Sequence, residues 1–208
     1  MTDDQDIHAR ANEKARNKKR ARDKMLATKT IEKGLLLVHT GTGKGKSTAA
    51  FGLAMRAVGN GMRVGIVQFI KGKWETGERV VLEHFSDLVT IRTMGEGFTW
   101  ETQDRARDIK AAEAAWEVSK QMIEASRGAD PAHHLLVLDE INIVLRYDYL
   151  ALDEVVETLR ARPPDLHVVA TGRNAKPALI EAADLVTEMT MVKHPFRSGV
   201  KAQKGIEF

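Results

Sequence analysis

Apolar and polar positions alternate along residues 35–191 in blocks that switch between two kinds of pattern. Short apolar runs at Leu35–Val38, Arg63–Phe69, Val89–Met94, His134–Glu140, His167–Ala170 and Leu185–Met191 read as six strands. Between them the spacing becomes helical. Phe51, Met55 and Val58 fall on one helix face, and that helix stops near Gly59-Asn60-Gly61. A long helix from about Gln103 to Arg127 presents Ile109, Trp116, Met122 and Ile123, which makes Trp116 a core residue. Leu152–Ala161 predicts a third helix, ended by Pro163-Pro164, and Pro177–Ala183 a fourth. Strand and helix alternating in this way predict an α/β fold, a mainly parallel sheet with helices on both faces.

The turn between the first strand and its helix carries the chemistry. Residues 38–48 read VHTGTGKGKST, close to the phosphate-binding pattern G-x-x-x-x-G-K-[ST]. Counting back from Gly45-Lys46-Ser47, the first glycine belongs at position 40, where Thr40 stands. Backbone N–H groups of the turn and of the helix start would hold phosphate oxygens. Lys46, on a solvated loop, would add a point charge, and the Ser47 hydroxyl would reach Mg²⁺. A β-branched residue in place of glycine predicts a different loop path. The fold expected is therefore P-loop NTPase-like, of the RecA-like kind.

His134–Glu140 ends an apolar run in two carboxylates, the Walker B pattern. Asp139 would hold a water bound to Mg²⁺ opposite Ser47. Glu140 is then free for the ribose, the metal's water shell or a second substrate. Met94–Trp100 follows the third strand with two glycines and two large rings, Phe98 and Trp100. Those rings either pack back on the core or form a flat apolar wall for a planar ligand, and periodicity does not separate the two.

Charge changes the picture only when it is divided. Residues 8–29 hold nine basic and two acidic residues, against 23 basic and 27 acidic in the remainder. The basic character belongs to an arm, residues 1–29, ahead of a single domain at 30–208. The arm is either solvated and disordered or a helix laid over a partner subunit or an anionic ligand. No aromatic interrupts it to stack a base, which argues against nucleic acid. No apolar run approaches a membrane span, and the amino terminus lacks the apolar stretch of a secretory signal. With no cysteine, disulfides and thiolate metal sites are excluded, and a cytoplasmic location is expected.

Three further stretches, MGEGFTWETQ at 94–103, TGRN at 171–174 and ADLVTEMTMVKHPFRSGVKAQKGIEF at 183–208, join the altered phosphate loop in one resemblance. From about Gly34 to Phe208 the chain resembles the ATP:corrinoid adenosyltransferases of the P-loop class, and the missing first glycine agrees with that pattern. The resemblance implies transfer of the 5′-deoxyadenosyl group of ATP to a cobalt(I) corrinoid, with release of triphosphate. It also implies Mg²⁺ or Mn²⁺, a homodimer and an electron-donating flavoprotein reductase. By position, it carries nucleotide binding onto Gly41, Thr42, Gly43, Lys44, Gly45, Lys46, Ser47 and Thr48. Lys46 and Glu140 take the catalytic roles, Ser47 and Asp139 the metal. Phe98 and Trp100 match an aromatic pair beneath the corrin, and Arg173 a phosphate or substrate contact. The rival reading is a P-loop ATPase, which leaves GFTW and AQKGIEF without a purpose.

Overall fold

Every strand of the central sheet runs parallel to its neighbours. The computed structural model describes residues 2–70, 76–94 and 104–207. The strands are β1 (Leu36–Thr40), β2 (Val64–Gln68), β3 (Val89–Thr93), β4 (Leu135–Asp139), β5 (His167–Thr171) and β6 (Leu185–Glu188), in spatial order β3-β2-β4-β5-β1-β6. The helices are α1 (Thr2–Ala27), α2 (Lys46–Gly59), α3 (Gly77–Glu83), α4 (Arg105–Glu124), α5 (Ile141–Arg146), α6 (Leu152–Arg160) and α7 (Pro177–Ala182). A 3₁₀ turn covers Pro195–Ser198. One strand, β5, separates the strand that leads into the glycine-rich turn from the strand that ends in Asp139. This is the RecA-like P-loop arrangement that the sequence predicts.

The period of two along each strand divides the interior into two layers. On β4, Leu136 and Leu138 join one core with Trp116 of α4 and Leu159 of α6. Leu135 and Val137 join the other with Phe51 and Ala54 of α2. Leu136, Val137 and Leu138 are fully buried, and each such side chain stabilises the fold by about 1.5–3 kcal/mol. Trp116 is a core residue, as its spacing indicates, and its indole N–H donates to Glu154 Oε1 at 3.1 Å. The Asp104 side chain caps α4 by accepting the Arg107 N–H.

Several expectations need correction. Met55 is 41% exposed. The buried stripe of α2 is centred on Ala50, Ala54 and Ala57, which let the helix approach the sheet closely, and Met55 falls at its edge. The sixth strand ends at Glu188 rather than Met191, because Met189 turns aside to meet the phosphate loop. The short helices α3 and α5 have no periodic signature, and Ile141–Leu145 reads as a plain apolar run.

The chain divides into two compact units, Met1–Glu32 and Lys33–Phe208. The first is largely helix α1, whose side chains are exposed from Ile7 to Ala27. Among the described residues no helix is long and apolar enough to cross a membrane.

Candidate functional site

The register of the sheet brings six strand ends to one edge. Gln68 lies beside Asp139 and Thr93, His39 beside Thr171, and Thr40 beside Glu188. That is the carboxyl edge, where open α/β sheets bind ligands.

Thr40 is the last residue of β1, not the first of the turn. Its hydroxyl accepts the Ala175 N–H at 2.9 Å and its carbonyl accepts the Met189 N–H. The left-handed backbone that the turn needs falls one residue later, at Gly41 with φ 93°. A Cβ on Gly41 would also run into the Met189 carbonyl. On Gly43 it would lie 2.7 Å from the Met189 and Thr190 carbonyls, and the Gly43 N–H already donates to Met189 at 2.6 Å. The glycines therefore answer to the wall behind the loop as well as to any ligand in front of it. Gly45, at φ 98°, opens α2 without a side-chain cap, so its first amides are left for an anion.

Lys46 is buried, not solvated as expected, and its ammonium donates to the Gly43 carbonyl. Burial lowers its pKa, as does Arg173 to a lesser degree, while Glu140 opposes them. Lys44 is half-exposed, and its ammonium pairs with Glu207. Thr42 and Thr48 are exposed.

Opposite the loop, Asp139 is buried among three donors: Ser47, Thr171 at 2.8 Å and Gln68 at 3.5 Å. Burial raises its pKa, and those three hydrogen bonds oppose the rise. Glu140 takes a left-handed backbone, φ 63°, uncommon for a residue with a side chain. Its N–H is held by the Thr171 hydroxyl at 2.9 Å. Burial first, then the neighbouring Asp139, pushes its pKa up to about 7. Lys46 and Arg173 pull the other way, and Glu140 Oε2 has no hydrogen-bond partner among the described residues. A Cβ on Gly172, at φ 127°, would meet that oxygen at 3.0 Å. Arg173 is exposed and within electrostatic reach of both Lys46 and Glu140.

The structure thus gathers Gly41, Gly43, Lys46, Ser47, Asp139, Glu140 and Arg173 at one edge. Phe98 and Trp100 lie outside the described residues. Sequence reasoning missed Gln68, Thr171 and Asn142. Gln68 also accepts from the Thr93 hydroxyl at 2.9 Å, and Arg79 donates to the same hydroxyl. Asn142, fully buried, ties the carbonyls of His39 and Gly172 together at 3.4 and 3.0 Å. A polar residue closing an apolar strand, as in RVGIVQ and HVVAT, is the signal that points to the first two.

Comparison with known proteins supplies the family. A family model described as ATP:corrinoid adenosyltransferase BtuR/CobO/CobP matches residues 32–208. A corrinoid adenosyltransferase of a Sinorhizobium species is 58% identical over 94% of this chain and 90% of that protein. One from Pseudomonas aeruginosa is 53% identical over the whole of both chains. A third, from Salmonella typhimurium, is 48% identical over 89% of this chain and 91% of its own. A solved RadB recombinase aligns with 79% of this chain and 78% of its own at 14% identity and a TM-score of 0.43, so the fold is read from strand order instead. With a family match across the whole of the second compact unit, the chain belongs to the ATP:corrinoid adenosyltransferase family BtuR/CobO/CobP.

Proposed function

We propose that this protein transfers the 5′-deoxyadenosyl group of ATP to the cobalt(I) of a reduced corrinoid and releases triphosphate, in the synthesis or salvage of adenosylcobalamin. The observation that carries the reading is a phosphate loop built opposite an acidic pair in a chain of this family. The cobalt electron pair attacks C5′, the C5′–oxygen bond breaks, and triphosphate departs with the bonding pair. No protein nucleophile is required, so the enzyme's work is alignment and stabilisation of charge.

Each site residue has a part in that work. Amides from Gly41 to Thr48, other than that of Gly43, hold the phosphates, and the Lys46 ammonium faces the growing charge on the leaving group. Arg173 adds a second cation beside Lys46. The Ser47 hydroxyl and Asp139 carboxylate, which lie near each other, are hard oxygen donors that suit a divalent ion held jointly with phosphates and water. Mg²⁺ or Mn²⁺ bound there would withdraw charge from the triphosphate. Glu140, whose Oε2 has no hydrogen-bond partner among the described residues, would serve the metal's water shell or the nucleotide.

Phe98 and Trp100 are assigned to the lower face of the corrin. Rings offer no lone pair, so they exclude an axial ligand and ease reduction of cobalt(II), the levers known for haem. A flavoprotein reductase supplies the electron. A cytoplasmic homodimer completes the reading, supported by the exposed edge strand β6 with Leu185 and Val186.

The test is anaerobic incubation with ATP, Mg²⁺ and chemically reduced corrinoid. A light-sensitive adenosylated spectrum with equimolar triphosphate is expected. ADP and phosphate in their place would make the protein an ATPase.

A further inference from the structure

The segment after β6 returns to the phosphate loop twice. Met189 takes the Gly43 N–H on its carbonyl, at 2.6 Å. At the other end, a turn in which Ile206 and Glu207 donate to the Gln203 carbonyl seats the Glu207 carboxylate on the Lys44 ammonium. Glu207 is mostly buried, with 16% of its side chain exposed, so this carboxylate is placed rather than free in solvent. One amide and one ammonium of a loop that reads GTGKGKS are thereby already engaged by protein.

A loop meant only to grip phosphate has no use for such partners. The chemistry supplies one, on the reading that this loop holds the triphosphate of ATP. Triphosphate keeps all three phosphoryl groups that anchored the substrate, so every donor that binds ATP also retards the product. An ordinary NTPase escapes this because hydrolysis splits the anion. We infer that the segment after β6, through Met189 and Glu207, withholds donors from the phosphate loop and sets how readily triphosphate leaves. Glu207 acts through Lys44 and is a positioning residue.

The experiment measures inorganic triphosphate binding to the full chain, by calorimetry and as product inhibition, with Tm recorded throughout. Glu207→Gln frees the Lys44 charge and should tighten triphosphate by about three- to tenfold, less so as salt is added. Turnover should fall as release slows. In a Lys44→Ala background the same substitution should change nothing. Lys44→Ala alone should weaken triphosphate by less than about threefold, because its charge is already met. Unchanged or weaker binding in Glu207→Gln, with or without a lowered Tm, would overturn the inference. So would a large loss in Lys44→Ala alone, since it would make Lys44 a working phosphate ligand. Failure of the unaltered protein to bind triphosphate at all would instead remove the reading of the loop on which this rests.

Discussion

Thr171 donates its hydroxyl to Asp139 at 2.8 Å, and the same oxygen accepts the Glu140 N–H at 2.9 Å. One hydroxyl on β5 therefore holds both the Asp139 carboxylate and the Glu140 backbone where β4 ends. Thr171→Val keeps the shape and removes both bonds, leaving a buried N–H without an acceptor, at a cost of about 1–3 kcal/mol. Tm should drop by roughly 3–10 °C. Asp139, short of one donor, should need more Mg²⁺ for half-maximal turnover. Thr171→Ser should restore the metal dependence, and its failure to do so would separate the hydroxyl from the metal site.

Lys46 bears on turnover more than on stability. Lys46→Ala should lower kcat/KM for ATP by about 10²-fold, the scale of one lost charge contact in the transition state. Burial already penalises the ammonium, so Tm should stay level or rise. Near-normal kinetics would remove Lys46 from the phosphate site.

Glu140 links stability to pH with a definite sign. Its folded pKa of about 7 lies above the ordinary 4.5. Between those values the folded chain keeps a proton that the unfolded chain has released, so stability falls as pH rises. Glu140→Gln lacks this penalty, on the order of a few kcal/mol at most. Without nucleotide or metal, its Tm should exceed that of the unaltered protein at pH 8, and the gap should close near pH 4.5. Parallel Tm curves would place the Glu140 carboxyl in water.

His167 works in the opposite sense. Its Nδ1 accepts the Leu35 N–H at 3.1 Å, and burial, with Arg162 nearby, holds its pKa below 6.5. As pH falls through about 6.5 the unfolded chain takes a proton that the folded ring refuses, and stability is lost. His167→Asn can offer an amide oxygen in place of Nδ1 and does not titrate. Its Tm should fall less between pH 7.5 and 5.5, and equal falls would show that His167 is not responsible.

Phe98 and Trp100 are assigned to cobalt reduction rather than to displacement at C5′. Phe98→Ala or Trp100→Ala should lose most activity when a reductase must start from cobalt(II), and retain much more when cobalt(I) is supplied chemically. Equal losses with lowered Tm would mean that the rings merely pack.

The strands and long helices were legible because their apolar periods are strong, and the phosphate loop and acidic pair because each sits where a strand ends. Harder to read were residues that serve the site from a distance. Gln68 and Thr171 look like ordinary strand termini until parallel register sets them beside Asp139. Asn142 lies in an apolar run that gives no hint of two carbonyls within its reach. Lys46 reads as a loop lysine, and only the folded-back turn buries it. In each case the missing information is a contact across 30 or more residues, or a backbone reversal, neither of which local pattern encodes.

The position of β1 between β5 and β6 has a consequence for the order in which the site takes shape. A chain synthesised from its amino terminus produces the phosphate loop early. Both strands that flank β1, and the Met189 carbonyl behind the loop, emerge more than 120 residues later. A partly made chain holds the whole glycine-rich motif with nothing beside or behind it. The backing of the glycine-rich turn is therefore complete only once β5 and β6 have closed around β1, so a motif made early takes its final shape from segments made late.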